Sequence, residues 1–126
     1  MEDYVSFETA KLLKEKGFDV ECDYFYVDGE LVRARGGACN WNYGETLYTD
    51  YKNECSAPTL QTVMKWLREV YNIHIEVKYF FEPHIYKYTI IHTPVALDNI
   101  SSHPQGFNTY EEACESAIKY CLENLI

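Results

Sequence analysis

The segment IHIEVKYFF at residues 73–81 alternates between two kinds of side chain, and this pattern constrains the fold more than any other. Because successive side chains of a strand point to opposite faces of a sheet, strict alternation predicts a strand with one buried face, as in antiparallel sheets. IYKYTIIHT at 85–93 is the expected hairpin partner, with the turn near residues 82–84. One face takes Ile73, Ile75, Val77, Tyr79 and Phe81, and the other takes His74, Glu76, Lys78 and Phe80.

A second hairpin is predicted over residues 22–35 by the dipeptide Asp28-Gly29. Both positions of a two-residue hairpin turn require positive φ, which this pair tolerates. The turn places Phe25 opposite Val32, and Tyr26 opposite Leu31. A third strand is expected over 45–51, after a glycine-containing stretch.

Apolar residues at helical spacing predict two helices in the first part of the chain, over residues 5–19 and 57–72. Ser6 is expected to cap the start of the first, and Gly17 to end it in a left-handed conformation. Pro58 is expected in the first turn of the second helix, where its missing N–H leaves no bond unmade. Leu67 falls within the apolar stripe of that helix and is expected in the core.

A third helix is predicted after Thr109, which forms a capping box with Glu112. Cys114 and Cys121 lie within its apolar stripe, so both are expected to be buried, reduced and free of metal. Seven residues of helix correspond to a rise of about 10.5 Å, too far for these two to form a disulfide.

The predicted order is therefore α-β-β-(β)-α-β-β-α, with residues 94–108 as a loop. Helices mixed with hairpins, without a βαβ rhythm, indicate an α+β fold: an antiparallel sheet of hairpins with helices packed mainly on one face. A chain of 126 residues fits one domain, expected over 1–126. An internal duplication is a second interpretation, because hairpin, loop and helix follow one another in 22–71 and again in 73–125.

The charge balance is acidic, with 20 acidic against 11 basic residues and a net charge of −9. Binding to a phosphate backbone normally needs a basic face, so a nucleic-acid partner is not expected. No stretch approaches the ~18 apolar residues that span a bilayer, and the N-terminus lacks the features of a secretory signal. Five cysteines without zinc-type spacing are typical of reduced thiols, so a cytoplasmic protein without membrane association is expected.

No catalytic signature is present: the sequence has no nucleophile elbow, no P-loop and no glycine-rich dinucleotide fingerprint. We therefore expect no enzymatic activity and no cofactor. A metal site needs three or four converging ligands. Only His74 and His92 are expected to approach each other, across the second hairpin, so no metal is predicted.

The segment RARGGACNWNYGETLYTDY at residues 33–51 has the composition most typical of a binding site, because it combines arginines, large aromatics and flexible glycines. Arginine and aromatic residues are enriched at binding hot spots. In the alternative interpretation, the tryptophan covers one end of the core and the arginines pair with surface carboxylates. The candidate binding residues are Arg33, Arg35, Trp41, Tyr43, Tyr48 and Tyr51.

Two functions remain open from the residues. The first is a non-catalytic accessory domain that acts by contact with a protein partner. The second is a small-molecule or nucleotide binder that uses the segment 33–51.

Three segments, DYVSFETAKLLKEKGFD at 3–19, APTLQTVMKWLREVYNIHI at 57–75 and YEEACESAIKYCLENLI at 110–126, resemble a group of small uncharacterised proteins encoded by gut bacteria and their phages or mobile elements. This resemblance implies no activity, and it favours an accessory protein that acts through a partner. The segment from Thr109 to Leu122 also resembles the helix that follows a hairpin in HicB-type antitoxins, which are small α+β modules.

Overall fold

A computed structural model describes residues 3–42, 54–92, 95–98 and 106–126. The chain forms two compact units, Met1–Thr59 and Leu60–Ile126. The α+β class is confirmed, with one more strand in the second half than predicted. The described elements are α1 (Phe7–Glu15), β1 (Tyr24–Val27), β2 (Glu30–Arg33), β3 (Glu54–Ser56), α2 (Leu60–Tyr71), β4 (Ile73–Phe80), β5 (Ile85–His92), β6 (Val95–Asp98) and α3 (Tyr110–Asn124).

Helix α1 begins and ends as its sequence predicts. The Ser6 hydroxyl accepts a hydrogen bond from the N–H of Thr9 at 3.2 Å, which satisfies one of the unpaired amides of the first turn. Gly17 has φ +89°, and the N–H of Phe18 donates to the Leu13 carbonyl at 3.0 Å. This is the Schellman ending expected from a glycine at that position.

The first hairpin also has the predicted register, with Phe25 opposite Val32 and Tyr26 opposite Leu31. Asp28 and Gly29 have φ of +50° and +87°, so the turn uses the two positive φ values that its sequence indicated. The sheet of this unit has the order β2-β1-β3, and β2 forms one edge.

Strand β3 was not predicted. The strand expected over 45–51 lies outside the described residues, and β3 follows it at Glu54–Ser56, antiparallel to β1. Three residues with a charged and a hydroxyl side chain show no alternation, so only pairing with β1 reveals the strand. All three are buried.

Helix α2 begins at Leu60, three residues later than predicted. Pro58 does not enter its first turn, because the chain is still extended there: the Pro58 carbonyl accepts from the N–H of Val5 at 3.0 Å, and Thr59 forms a bridge with Tyr4. Leu67 is fully buried, as predicted.

The sheet of the second unit is an antiparallel meander, β4-β5-β6. Helices α2 and α3 pack on it, and the buried side chains of β4 and β5 share one face: Ile73, Ile75, Tyr88 and Ile90. The one-sided character predicted for 73–81 is thus confirmed for the first half of β4. Beyond Val77 both faces of the strand are exposed.

The loop predicted over 94–108 contains strand β6, which pairs with β5 and places Ile90 opposite Leu97. Four residues bounded by prolines and small polar residues read as a loop in the sequence. These residues form a strand because β5 supplies the hydrogen bonds that pair with them.

In helix α3 the N-cap at Thr109 and the burial of the two cysteines are confirmed. The Thr109 hydroxyl accepts from the N–H of Glu112 at 3.1 Å. Cys114 and Cys121 are fully buried and are not joined in a disulfide. Burial raises the pKa of the Cys114 thiol to about 11 and that of Cys121 to about 12, so both are uncharged at neutral pH.

The described strands of 22–71 and 73–125 are arranged in different orders, which does not support the duplication considered for these two segments. Each contains a hairpin followed by a third strand. In the first unit the third strand pairs with the first strand of the hairpin, and in the second it pairs with the second strand. A duplicated unit would be expected to keep its strand order.

Candidate functional site

The residues of the predicted binding segment have different surroundings. Arg33 ends β2 and Arg35 follows it, and both side chains are exposed. Neither forms an ion pair within 4.0 Å among the residues that the structure describes. Tyr43, Tyr48 and Tyr51 lie outside those residues. The described part of the segment therefore offers two guanidinium groups to solvent.

Trp41 is a core residue of the first unit, with 6% of its surface exposed. Its ring stacks on Phe25, with centroids 4.0 Å apart and an interplanar angle of 18°. The indole N–H donates to the Cys22 carbonyl at 2.8 Å, and the backbone N–H donates to the Ser56 hydroxyl at 3.0 Å. Packing and hydrogen bonds account for this tryptophan, as in the alternative interpretation of the segment, and it does not share a surface with the two arginines.

Among the residues that the structure describes, the largest exposed aromatic surface lies elsewhere, at the closed end of the β4–β5 hairpin. We call residues 78–87 the hairpin end. Three consecutive aromatic side chains stand there, with exposed fractions of 50% for Tyr79, 43% for Phe80 and 70% for Phe81. Large side chains of this type are usually found at least half buried. Sequence alternation had placed Phe81 on the buried face, but β4 ends at Phe80.

The aromatic side chains of the hairpin end are held by contacts with one another. The Tyr79 hydroxyl and His84 Nδ1 are 2.7 Å apart and share a hydrogen bond. His84 also meets the edge of Phe81, with ring centroids 5.0 Å apart, and Tyr79 lies 5.0 Å from Tyr86. Contacts of this kind restrict the rotamers of an exposed cluster before any partner binds.

Two lysines stand directly opposite each other on the face of the hairpin end that also carries Phe80, whereas Tyr79 and Tyr86 belong to the opposite face. Lys78 pairs with Lys87 across the strands, and like charges in that position are destabilising. The Lys87 ammonium lies 5.5 Å from the centre of the Phe80 ring. Glu76 and Glu82 are nearby in the chain, but among the described residues no carboxylate lies within 4.0 Å of either ammonium group. Fold stability does not explain this arrangement.

A glycine braces the hairpin end from the side of β5. The chain at Phe107 forms a bridge with Tyr86, with both N–H to carbonyl distances at 2.8 Å. Gly106 approaches so closely that a Cβ atom would lie 2.7 Å from Ile85 Cδ1 and 2.9 Å from the Tyr86 carbonyl oxygen. The base of the hairpin end is therefore fixed by backbone pairing on two sides of β5.

The histidine pair considered as a metal site does not form. His92 is opposite Ile73, and His74 is opposite Ile91. Cross-strand partners share a face and successive residues alternate, so the two imidazoles project from opposite faces of the sheet. Among the described residues, no three His, Cys, Asp or Glu side chains are grouped as metal ligands would be.

The described helices include none with the length and apolar character needed to cross a membrane.

Comparisons with protein-family models, with curated proteins and with solved structures gave no match for this chain. Its function must be inferred from its own side chains.

Proposed function

We propose that this protein is a non-catalytic interaction module that binds a partner protein through the hairpin end. One observation carries the proposal: three consecutive exposed aromatic side chains stand at the closed end of the β4–β5 hairpin, beside two lysines that have no carboxylate within 4.0 Å among the described residues. Aromatic residues, phenylalanine included, are enriched at protein interfaces, and tyrosine is enriched among the residues that contribute most to binding.

Exposure of these rings opposes solubility and adds nothing to the core. Burial of one phenylalanine side chain contributes about 1.5–3 kcal/mol. A partner that covers Phe80 and Phe81 would gain only the share of this contribution that belongs to their exposed surface, which is 43% of Phe80 and 70% of Phe81. Contiguous exposed apolar surface commonly marks a contact site for another protein.

The side chains of the hairpin end indicate which groups the partner protein has on its contact surface. Aromatic rings require an apolar patch, and Lys78 and Lys87 require carboxylates at its rim. A carboxylate placed between the two ammonium groups would relieve their mutual repulsion, so the complex would gain an interaction that the free protein lacks. The partner surface is accordingly apolar with an acidic rim.

The contacts within the hairpin end favour binding as well. Ordering an interface side chain costs about 0.5–1.5 kcal/mol per group. The hydrogen bond between Tyr79 and His84 and the ring contacts of Phe81 restrict these side chains in advance. These side chains have therefore already lost part of their conformational entropy in the free protein, so binding costs less.

The cysteines support a role without catalysis. Nucleophilic catalysis requires an activated thiol or hydroxyl beside a base. Burial raises the pKa of Cys22, Cys55 and Cys114 to about 11 and of Cys121 to about 12, so none of the four is activated.

The test first captures partner proteins with the wild-type protein as bait. The affinity of the purified partner for the wild type and for each variant then decides the outcome. Phe80→Ser combined with Phe81→Ser removes the aromatic surface, and Val70→Ser removes a comparably exposed apolar side chain from α2, at 57% exposure. A hot spot contributes 2 kcal/mol or more, so we expect the double variant to weaken binding about thirtyfold and Val70→Ser to change it about twofold or less.

Lys78→Glu combined with Lys87→Glu should also weaken binding, and should remove most of its dependence on salt. Circular dichroism and thermal unfolding would show that all variants are folded. A partner bound equally well by the wild type and the double phenylalanine variant would refute the proposal.

A second candidate function is the binding of an anionic small molecule or nucleotide by Arg33 and Arg35, which are exposed and unpaired with carboxylates in the described residues. Arg33→Ala combined with Arg35→Ala tests it. Loss of nucleotide binding in this variant, with binding retained in the double phenylalanine variant, would favour the second candidate.

A further inference from the structure

Cys22 and Cys39 stand directly opposite each other in an isolated antiparallel bridge. Their backbones exchange two hydrogen bonds, from the Cys22 N–H at 2.8 Å and from the Cys39 N–H at 3.2 Å. Residues paired in this way have Cα atoms about 5.5 Å apart and side chains on the same face. Disulfides span Cα separations of about 4.4–6.8 Å, so this pair has the backbone geometry of a disulfide.

The position of Cys22 is held by further contacts. Its carbonyl accepts from the indole N–H of Trp41 at 2.8 Å, and its thiol lies 3.4 Å from the Val20 carbonyl oxygen, to which it donates. Because the backbone is already paired at a separation that disulfides span, the two sulfur atoms can meet through rotation of the side chains.

The other thiols are poorly placed to compete. Cys114 and Cys121 are buried in α3, in the other compact unit. Cys55 is buried in β3 beside Ser56, which interacts with the Cys22 thiol. Adjacent residues of a strand point to opposite faces, so Cys55 points away from the face that Ser56 shares with Cys22.

We propose that Cys22 and Cys39 form an intramolecular disulfide when the protein reacts with hydrogen peroxide. In the first step the Cys39 sulfur attacks one peroxide oxygen. An S–O bond forms, the O–O bond breaks, and the product is a sulfenic acid with one water released. In the second step the Cys22 sulfur attacks the Cys39 sulfur, an S–S bond forms, the S–O bond breaks, and a second water leaves. Two thiols lose two electrons and two protons, and the peroxide is reduced to two waters.

The two cysteines have different parts in this reaction. Cys39 is exposed and meets the oxidant. Cys22 is 6% exposed, and burial raises its pKa to about 11, so it is a poor target for peroxide in solution. It acts only on a sulfenic acid held against it, where the reaction is intramolecular and its local concentration is high.

The disulfide would close a loop that contains the whole β1–β2 hairpin, with Arg33 and Arg35. It would tie the chain that follows β2 to the chain that precedes β1. A thiol reductant would reverse the bond, because disulfides exchange with added thiolates.

The test treats the wild type with hydrogen peroxide, blocks remaining thiols with an alkylating agent under denaturing conditions, and measures intact mass without reductant. We expect the mass of the unblocked protein to fall by two hydrogen atoms, three of the five thiols to be alkylated, and peptide mapping to join Cys22 to Cys39. Dithiothreitol should restore all five.

Two variants make the test specific. Cys39→Ser should form no intramolecular disulfide. Cys22→Ser should leave Cys39 as a sulfenic acid that reacts with dimedone. Cys55→Ala is the matched control, and should form the disulfide at the wild-type rate. The wild type alone can overturn the proposal in two ways. Cys39 could be oxidised while the Cys22 thiol remains free and is alkylated, or the disulfide could join other cysteines.

Discussion

At the scale of single residues, Glu54 is the least favourable placement in the described structure. It is 7% exposed, and among the described residues neither of its carboxylate oxygens has a hydrogen-bond partner. Loss of solvation raises the pKa of this carboxyl group, and the nearby positive charge of Lys14 lowers it in part. The Lys14 ammonium itself donates to the Glu54 backbone carbonyl at 2.8 Å. A charged group in this position destabilises the folded state.

Glu54→Gln should therefore raise the free energy of unfolding at pH 7, because the amide carries no charge that loses its solvation on folding. The folded-state pKa is above the unfolded value, so the wild type carries a penalty at neutral pH that disappears as pH falls through the folded pKa towards the unfolded one. The difference in unfolding free energy between Glu54→Gln and the wild type should therefore decrease over the same pH range.

Urea unfolding at several pH values would measure this difference. Glu30→Gln, on the exposed strand β2, is the matched control and should leave the pH dependence almost unchanged. An advantage of Glu54→Gln that is the same at pH 4 and pH 7 would contradict the assigned cause.

Trp41 is a structural residue, so its substitution cannot be used to test binding by the segment 33–51. Its stacking on Phe25 and its two hydrogen bonds make it a structural residue. Replacement by alanine would remove a core aromatic at a cost of about 3–5 kcal/mol. Binding lost in that variant would report unfolding, so Arg33 and Arg35 are the informative positions in this segment.

At the scale of elements, each unit combines locally specified helices with strands that depend on their neighbours. The apolar stripe of α2 packs toward its sheet, and Leu67 is fully buried in it. Val70, three residues later, is exposed. The two positions therefore compare a buried and an exposed apolar side chain on the same helix.

Leu67→Ala should lower the free energy of unfolding by about 2–5 kcal/mol, because it leaves a cavity in a packed core. Val70→Ala should change it by about 0.5 kcal/mol or less, as is usual for an exposed position. Thermal or denaturant unfolding of the two variants gives the comparison. Equal effects at both positions would mean that the helix is oriented differently.

Gly106→Ala should destabilise the second unit for two reasons. Its φ of +83° disfavours a side chain by about 1–2 kcal/mol, and a Cβ atom would collide with the Tyr86 carbonyl and Ile85. Gly17→Ala is the matched control, because Gly17 has φ +89° and no atom within 4 Å of a Cβ. The difference in stability loss between the two variants measures the collision alone, and a zero difference would mean that the hairpin end shifts freely to make room.

At the scale of the whole molecule, the net charge of −9 sets the general character of the surface, and the hairpin end departs from it locally. Charges further apart than about 8 Å are largely screened at physiological salt. The lysine pair can therefore act on a carboxylate at contact distance even in an acidic protein. The total charge still determines how the molecule meets a highly charged polymer.

We expect no measurable binding to duplex DNA at physiological salt. Proteins that bind DNA non-specifically do so with a Kd of about 10⁻⁴–10⁻⁶ M, through a basic face that releases counterions. Fluorescence anisotropy of a labelled duplex, titrated with protein through this range, would measure it. A rise in anisotropy that weakens with added salt would show that a basic groove exists despite the acidic total.

The amino-acid sequence by itself determined the features that arise from interactions between residues close together in the chain. Ser6, Gly17 and Thr109 end or begin helices through bonds to residues three to five positions away. Asp28-Gly29 sets the register of its hairpin because the turn allows few alternatives. The apolar stripe of α3 indicated correctly that its two cysteines are buried.

The tertiary structure alone decided the features that depend on distant partners. Strands β3 and β6 are too short to show a period, and they exist because β1 and β5 supply their hydrogen bonds. Trp41 is buried because Phe25 and Ser56 reach it, whereas the aromatic rings at 79–81 are exposed because no element packs over them in the described residues. The same residue types thus have opposite surroundings, because burial is set by what the rest of the chain brings into contact with them and not by the residues themselves.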